Sequence, residues 1–580
     1  MNTTKKYIIR PQLQGKDVKA CQRISRELDV PLVLAELLYQ RGFVTVGKAR
    51  DYLQPKLVDL PSPFKLKGMH EAVELILSAV TTRQQIVIHG DYDVDGITAT
   101  VLLADFLTSL DLEVSYHLPN RMKEGYGLSH FSLETLAEKM SMPALLLTVD
   151  CGITAVEEVR YAKKLGFKVI VTDHHESPEN LPDADAIINP KQQGCEFPFK
   201  GLSGVGVSFF LAMAVRRKMV EKGFWERNSI PNLKSYLDLV ALGTVADVME
   251  LVGINRILVK AGLEVITARN RPGIWALCEC SKMKEPIVTA EDISFRLAPR
   301  INAAGRLGIP YLAADLLRST NIDDALNRAN ELELANFKRR KLEQTALDDA
   351  MKSAKIQVDN NIKGIVLFGA DWHPGVVGII AARVADRFQL PTLVFTPDMT
   401  AQGDEIFKGS GRSVPGLNLF NLLQQSDSHI VQFGGHAMAA GLTVASDNFG
   451  AFKAEFDNYA QLMMRDIDKP GIFIDRIMNS RDDCQELSRC LALMEPFGQG
   501  NPEPVFLLNN IQMKKVAKLR EHLKFHVTIN GSTVQGIGFF MARHFETATQ
   551  RINLGFKLKQ TSFRGRERIE AHAVSIVPTH

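Results

Sequence analysis

From about residue 70 the chain alternates short apolar, β-branched runs with amphipathic stretches. Ile86-Val87-Ile88, Leu145-Leu146-Leu147-Thr148-Val149 and Val169-Ile170-Val171 each stand between helical segments. Runs that are apolar on both faces belong to strands covered by helices on both sides. The order therefore predicts a parallel sheet with right-handed crossovers and every strand's C-terminal end on one edge, the edge where open α/β sheets bind ligands. Residues 1–60 read instead as amphipathic helices, Val30 to Gln40 and Val46 to Leu53 among them, closed by Pro55, Pro61 and Pro63. They are expected to preface the first large domain.

Asn321 to Lys355 is a polar run without Pro or Gly that places Leu326, Ala329, Leu332, Phe337, Leu342 and Leu347 among charges, and it predicts one long helix. A second α/β pattern starts behind it, with a strand over 364–368, a helix over 375–388 and a strand over 391–395. After Pro470 the texture becomes alternating, as in 525–529 and 554–559, with Gly-rich turns. The expected division is a helical N-terminal segment 1–60, an α/β domain 61–320, a connecting helix 321–356, a second α/β domain 357–466 and a small antiparallel barrel 467–580. The fold class is then α/β, with two parallel-sheet domains joined by a long helix and a C-terminal antiparallel β-barrel.

With 580 residues the chain holds several cores. No apolar run approaches the roughly 20 residues that cross a bilayer, and no signal-peptide core follows the N-terminal Met-Asn-Thr-Thr-Lys-Lys, so no membrane role is expected. Seven scattered cysteines suit a reducing, cytoplasmic setting better than a disulfide framework. The net charge of +3 is unevenly spread: residues 511–580 carry +8 and the rest −5.

Chemistry gathers where the strands end. His89-Gly90-Asp91-Tyr92-Asp93-Val94-Asp95-Gly96 follows the first strand, Asp150-Cys151-Gly152 the second and Asp173-His174-His175 the third. Three acids within five residues repel one another unless a cation sits among them, and short, hard carboxylate ligands suit Mg²⁺ or Mn²⁺. Taken alone, each segment reads equally well as a solvated Asp/Gly turn; three strands delivering acids or imidazoles to one edge make the metal reading the better one. Asp247, after the apolar stretch 237–246, is a helix cap or a fourth contributor. No Ser/His/Asp set accompanies these residues, and Cys151 reads as packing behind the site rather than as a nucleophile.

Asp93-x-Asp95, Asp150 and Asp173-His174-His175, in this order, resemble the motifs of the DHH phosphoesterase superfamily, and Gly434-Gly435-His436 through Gly441 resembles its associated second domain. Arg296-Leu-Ala-Pro-Arg300-Ile-Asn302-Ala-Ala-Gly305-Arg306 and Trp372-His373-Pro-Gly-Val-Val-Gly378 point within it to the RecJ-like single-strand-specific exonucleases. The resemblance spans about residues 70–575 and implies that the C-terminal antiparallel β-barrel is OB-like.

It implies two divalent cations, Mg²⁺ or Mn²⁺, held by Asp93, Asp95, Asp150, His174 and Asp247, with Asp150 bridging. It places His175 beside the scissile phosphate or a ligand and leaves Asp91 and Asp173 as turn or supporting residues. His89 matches a ligand position of the pyrophosphatase branch. Arg300, Asn302 and Arg306 would meet the phosphate's remaining charge as catalytic residues, since a guanidinium fork matches phosphate bidentately. Arg121, with Ser410 and Arg412 in a Gly-rich turn, would form a pocket for a 5′-terminal phosphate. His373, Gly434, Gly435 and His436 would bind the nucleotide strand. Lys518 and Lys524, among other basic residues of the last domain, would form a single-strand groove with Phe525 and Phe563 as stacking platforms, unless those rings are core.

The activity implied is 5′→3′ hydrolysis of single-stranded DNA to 5′-mononucleotides in recombination and repair, by a monomer partnered with a single-strand-binding protein and a RecQ-type helicase. Three rivals stay open. One is a phosphodiesterase of short RNA or a cyclic dinucleotide, another a manganese pyrophosphatase, and the third a catalytically silent single-strand-binding scaffold.

Overall fold

In a computed structural model of the chain, the apolar runs near residues 86, 145 and 169 lie at the centre of a five-stranded parallel sheet. Its order is Val114–His117, Ile86–His89, Ala144–Val149, Phe167–Thr172, Ala186–Ile188. The structure describes residues 7–121, 123–125, 127–226, 229–283, 287–400, 403–465, 467, 471–478, 484–563 and 566–579, with the side chains of 562, 563, 566 and 567 excepted. Both central strands, Ile86–His89 and Ala144–Val149, are buried along their whole length. The register pairs His89 with Thr148 and Val149 with Thr172, so the residues that follow each strand emerge side by side on one edge. A helical half completes the domain, including Gly204–Glu221, Leu237–Ala246 and Ala298–Arg306.

The connecting helix runs from Ile322 to Asp359, 38 residues or about 57 Å at 1.5 Å per residue. Its first half buries Ala325, Ala329 and Leu332 in the first domain's core, and its second half buries Ala346, Leu347, Ala350 and Ala354 against the second. The helix is thus a strut shared by two cores.

The second domain holds a five-stranded sheet in which only Ile365–Phe368 and Thr392–Met399 run parallel. The strands Glu405–Arg412, Ala439–Ala445 and Gln432–Gly435 extend it antiparallel. Ser410 and Arg412, expected in a Gly-rich turn, lie instead in the strand Glu405–Arg412. The glycines there serve packing: a Cβ on Gly409 would meet the Phe395 ring at 2.5 Å, and one on Gly411 would meet Leu393 Cδ2 at 2.6 Å.

The C-terminal domain is built on a seven-stranded sheet, mostly antiparallel, with Ser532–Gly538 parallel to Arg566–Pro578. The N-terminal helices belong here and not to the first domain. Lys16–Leu28, Leu32–Gln40 and Val46–Leu53 bury Ile24, Leu34, Leu37, Leu38 and Tyr52 in the same core as Phe506, Phe525 and Phe556, and the strand Tyr7–Ile9 pairs with Ile472–Ile474. Buried Arg256 of the first domain locks this unit in place, donating to the carbonyls of Tyr52, Met494 and Glu495. Among the described residues no helix is long and apolar enough to cross a membrane, and none of the seven cysteines forms a disulfide.

Candidate metal and phosphate site

Each strand end is bent to present its acid. Asp150 takes a left-handed conformation (φ 59°) directly after Val149, and Thr148 Oγ1 donates to Cys151 O at 2.8 Å to close the turn. Asp93 caps the helix Val94–Thr108 by accepting from Gly96 N. Asp95, buried in that helix's first turn, accepts the amides of Gly204 (2.6 Å) and Val205 (2.9 Å) at the N-terminus of the helix Gly204–Glu221. Asp247 ends the helix Leu237–Ala246 as its C-cap residue.

These side chains converge. His174 Nε2 lies 3.0 Å from Asp150 Oδ1, 3.6 Å from Asp247 Oδ2 and 3.8 Å from Asp95 Oδ2. Asp91, Asp93 and Asp150 bring three carboxylates within 4.8 Å of one another, and Asp150, His174 and His175 form a third such group. Asp91, read from the sequence as a turn or supporting residue, is therefore in ligand position; burial raises its pKa well above the usual carboxylate range, as does the charge of Asp93.

The electrostatics call for a cation. Burial, with Asp93 adding to it, pushes Asp95 up to about 7, and burial with Asp95 and Asp93 pushes Asp247 to about 8. Burial holds His174 near 3, so its imidazole is neutral although three carboxylates face it. Asp91 Oδ1 is buried without a hydrogen-bond donor. A neutral imidazole and several acceptor-only carboxylates, closely packed, match the hard O/N donor set of Mg²⁺ or Mn²⁺.

His175 differs. Burial disfavours its charge, but Asp173 outweighs that with a 2.7 Å hydrogen bond to Nδ1 and lifts the imidazole to about 9. Asp173 also accepts from the amides of Ile153, His174 and His175. His89 is placed outside the donor groups. Its Nδ1 lies 4.0 Å from Cys151 Sγ, its ring packs 5.2 Å from that of His117, and burial holds it near 3. Among the described residues it joins none of the donor groups, and its Nε2 is buried without a hydrogen-bond partner. Cys151 is fully buried behind the site, and burial raises its pKa.

The arginines gather at the seam of the first two domains. Arg306 Nη1 donates to Gly375 O at 3.0 Å. Burial, with Arg121, Arg339 and Arg412 close by, lowers its pKa to about 10. Burial lowers Arg412 too, with Arg121 the neighbouring charge. Arg121 lies over the Tyr92 ring, 5.4 Å from its centroid, and Tyr92 links this group to the acids on either side of it. Cations that repel one another mark an anion site. Asn302 stands one helical turn before Arg306 on the same face. Ser410 Oγ and Arg412 Nη2 lie 3.0 and 3.5 Å from a Cβ built on Gly378, at the start of the helix Val377–Phe388. His373 Nδ1 accepts from Gly375 N.

Other expected residues fall differently. Arg300 is engaged by Glu333 of the connecting helix at 2.6 Å, so its charge is already met. Gly434, Gly435 and His436 are exposed, and Gly435 needs its glycine because a Cβ would meet Ala439 O at 2.3 Å. Lys518 and Lys524 are exposed, whereas Lys559 pairs with Glu291 and Glu503. Phe525 is core, 1% exposed. Arg564 and the side chains of Phe563 and Arg566 lie outside the described residues. Two glycines shape the site without any signal in the sequence. A Cβ on Gly204 would meet Asp150 Cβ at 2.6 Å, and one on Gly243 would meet Asp95 Oδ1 at 2.7 Å.

Three family models match in order: the DHH family N-terminal domain over residues 85–244, the DHHA1 domain over 361–462 and the RecJ OB domain over 474–574. The chain is 36% identical to the single-stranded-DNA-specific exonuclease RecJ of Escherichia coli, over 98% of this chain and 99% of that one. It belongs to the RecJ family. To the Bacillus subtilis RecJ it is 35% identical, covering 92% of this chain and 66% of that protein. The crystal structure of RecJ in complex with Mn²⁺ from Thermus thermophilus matches with a TM-score of 0.81 at 29% identity, over 99% of this chain and 80% of that one. A second RecJ structure from the same organism is a complex with Mg²⁺. Mn²⁺ and Mg²⁺ are the two cations that the donor set here fits.

Proposed function

We propose that this protein is a divalent-cation-dependent exonuclease that hydrolyses single-stranded DNA from its 5′ end to 5′-mononucleotides, acting as a cytoplasmic monomer in recombination and repair. The observation that carries the reading is the adjacency of two opposite clusters. Asp91, Asp93, Asp95, Asp150, His174 and Asp247 gather at the strand ends, Arg121, Arg306 and Arg412 lie within one another's field, and Tyr92 feels charges of both groups, Asp91 and Asp93 from the first and Arg121 and Arg306 from the second.

Two divalent cations held by these acids and His174 would neutralise phosphate charge and lower the pKa of water. The protein's own groups do the rest. The amides of Gly204 and Val205 hold Asp95 in place. His175, kept charged by Asp173, offers a hydrogen bond to a phosphate oxygen. Arg306, with Asn302 a turn away, meets the remaining charge of the scissile phosphate. Arg121, Ser410 and Arg412 receive the 5′-terminal phosphate, which sets polarity. Phosphorus is attacked by water, and the 3′-oxygen of the terminal nucleotide departs with a proton. A single-strand-binding protein and a RecQ-type helicase are the partners this role implies.

The test uses purified protein, Mn²⁺ and a 3′-labelled single strand, beside a blunt duplex and Asp150→Ala. Stepwise shortening with the label retained, an inert duplex and a dead variant are expected. A strand that is bound but uncut with either cation would overturn the reading in favour of a scaffold.

A further inference from the structure

The rings expected to stack bases in the C-terminal domain are not available for it: Phe525 points into the core, together with Leu523 and Val527. Another pair is. Phe539 and Phe540 follow the strand Ser532–Gly538 and are 49% and 70% exposed. Phe540 has φ 56°, a left-handed conformation that costs a non-glycine residue free energy and persists only where surrounding contacts impose it. His522 imposes it. Its Nδ1 accepts the Phe540 amide at 3.0 Å, and its ring meets Phe539 and Phe540 edge-on at 5.5 and 5.0 Å between centroids. Phe539 also packs edge-on against His572 at 5.4 Å. Two large rings are thus fixed in orientation and left facing solvent.

Their surroundings decide what they face. Residues paired across neighbouring strands share a sheet face. One such row reads Lys524, Ile537, His572, Lys557, and the next His526, Gln535, Glu570, Lys559. These two rows lie on the face opposite Phe525 and carry three lysines beside Glu570; Lys524 is exposed, while Lys557 and Lys559 also pair with Glu503. Lys559 reaches Glu291 of the first domain at 2.6 Å. Glu291 opens the continuous helical run 290–306, which ends at Arg306 in the phosphate site. This face therefore borders the element that leads to the chemistry.

We propose that Phe539 and Phe540 form a base-stacking platform for single-stranded nucleic acid, gripping nucleotides several positions 3′ of the bond being cut. The proposal rests on the exonuclease reading for its direction, and on the exposed rings, their His522 brace and the lysine-bearing rows for the site itself. A platform of this kind grips every base by its π-face, without reading sequence, and makes long strands better substrates than short ones.

The experiment measures anisotropy of a 3′-labelled long oligothymidine on the full-length protein in EDTA, and kcat/KM with Mn²⁺ on long and very short oligothymidines. Phe540→Ala is expected to weaken long-strand binding about tenfold and to lower the long-to-short ratio of kcat/KM by a similar factor. Phe540→Trp should restore both. Replacing the 3′ bases by abasic sites should cost the wild type the same factor and cost Phe540→Ala nothing further. Unchanged binding in Phe540→Ala, equal losses on short and long strands, or independent penalties from the variant and the abasic sites would each overturn the platform, the last pointing to a protein-docking patch instead. A wild type that binds the long strand and cuts nothing sinks the exonuclease reading while the binding arms still judge the platform.

Discussion

Asp173 Oδ1 lies 2.7 Å from His175 Nδ1, and the same oxygen accepts the amides of His174 and His175. One carboxylate thus fixes the turn that carries His174 into the acid cluster and charges the imidazole beside it. Asp173 is nearly inaccessible, and although burial raises its pKa, the His175 hydrogen bond and charge outweigh this and bring it below the ordinary value. Asp173→Asn keeps the size and removes the charge. The variant is expected to lose roughly 10- to 100-fold in kcat, the usual cost of removing a partner that orients a metal-site residue. His175 should titrate well below 9, which histidine NMR in the metal-free protein can read. An unchanged His175 titration would show that Asp173 does not hold its charge.

Gly204 meets Asp150 with no room to spare: a Cβ there would sit 2.6 Å from both Cβ and Oδ1 of the carboxylate. Asp150 is buried between the strand end and this helix, so it has to move if Gly204→Ala is made. A shift of the order of 1 Å in a reacting group costs about 100-fold in rate. Gly204→Ala is expected to lose about that much in Mn²⁺-dependent hydrolysis of single-stranded DNA while its thermal transition moves little. Activity within a few-fold of wild type would mean that Asp150 has slack.

The acids at the strand ends were legible because a buried apolar run has one reading and a charge directly behind it is an anomaly. The partners of those acids were not. Gly204 comes 54 residues after Asp150, and nothing in Ser-Gly-Val-Gly-Val marks which carboxylate its helix will face. The N-terminal helices show the same limit, since an amphipathic pattern says that a face is buried and not against what; Tyr52 and Phe506 share a core across most of the chain's length. Gly409-Ser-Gly-Arg reads as a turn by residue type, yet it is a strand because Phe395 and Leu393 occupy the space that side chains would have filled. Parity would have distinguished Phe525 from Phe539: Leu523, Phe525, Val527 and Ile529 alternate inward together.

Arg256 is 2% exposed and donates to three backbone carbonyls, of Tyr52, Met494 and Glu495, with its guanidinium 3.8 Å from the Tyr52 ring centroid. Those carbonyls belong to the N-terminal helices and the C-terminal domain, so one side chain joins both to the first domain. Arg256→Ala strands the carbonyls of Tyr52 and Glu495 at about 1–3 kcal/mol each, whereas Met494 O keeps the Tyr52 hydroxyl and the Asn501 amide, so a total loss of at least about 2 kcal/mol is expected. Limited proteolysis should then cut first near residues 54–62, at the N-terminal unit's connection to the first domain. A protease pattern and urea midpoint like the wild type's would show that the rest of the interface suffices.

The acid cluster also makes cation binding depend on pH, with a sign that can be worked out. In the metal-free protein Asp95 and Asp247 are raised to about 7 and 8, first by burial and then by neighbouring carboxylates. An unfolded chain has ordinary carboxylates, near 3.9. Between those values the folded protein holds protons that the unfolded chain has released, so these two groups lower the metal-free protein's stability as pH rises from about 4 to 8. A divalent cation displaces the same protons, and it does so against less competition as pH rises. His174, held near 3, does not titrate in this window, and His175, charged up to about 9, adds to the trend where it gives up its proton. The rise in melting temperature produced by a fixed Mn²⁺ concentration is therefore expected to be larger at pH 8 than at pH 6, with protons released on titration. Asp247→Asn should flatten that difference, because it removes the more strongly raised of these two carboxyls while leaving Asp150 in place. A Mn²⁺ shift that is equal at both pH values would mean that the carboxylates are already ionised without the cation.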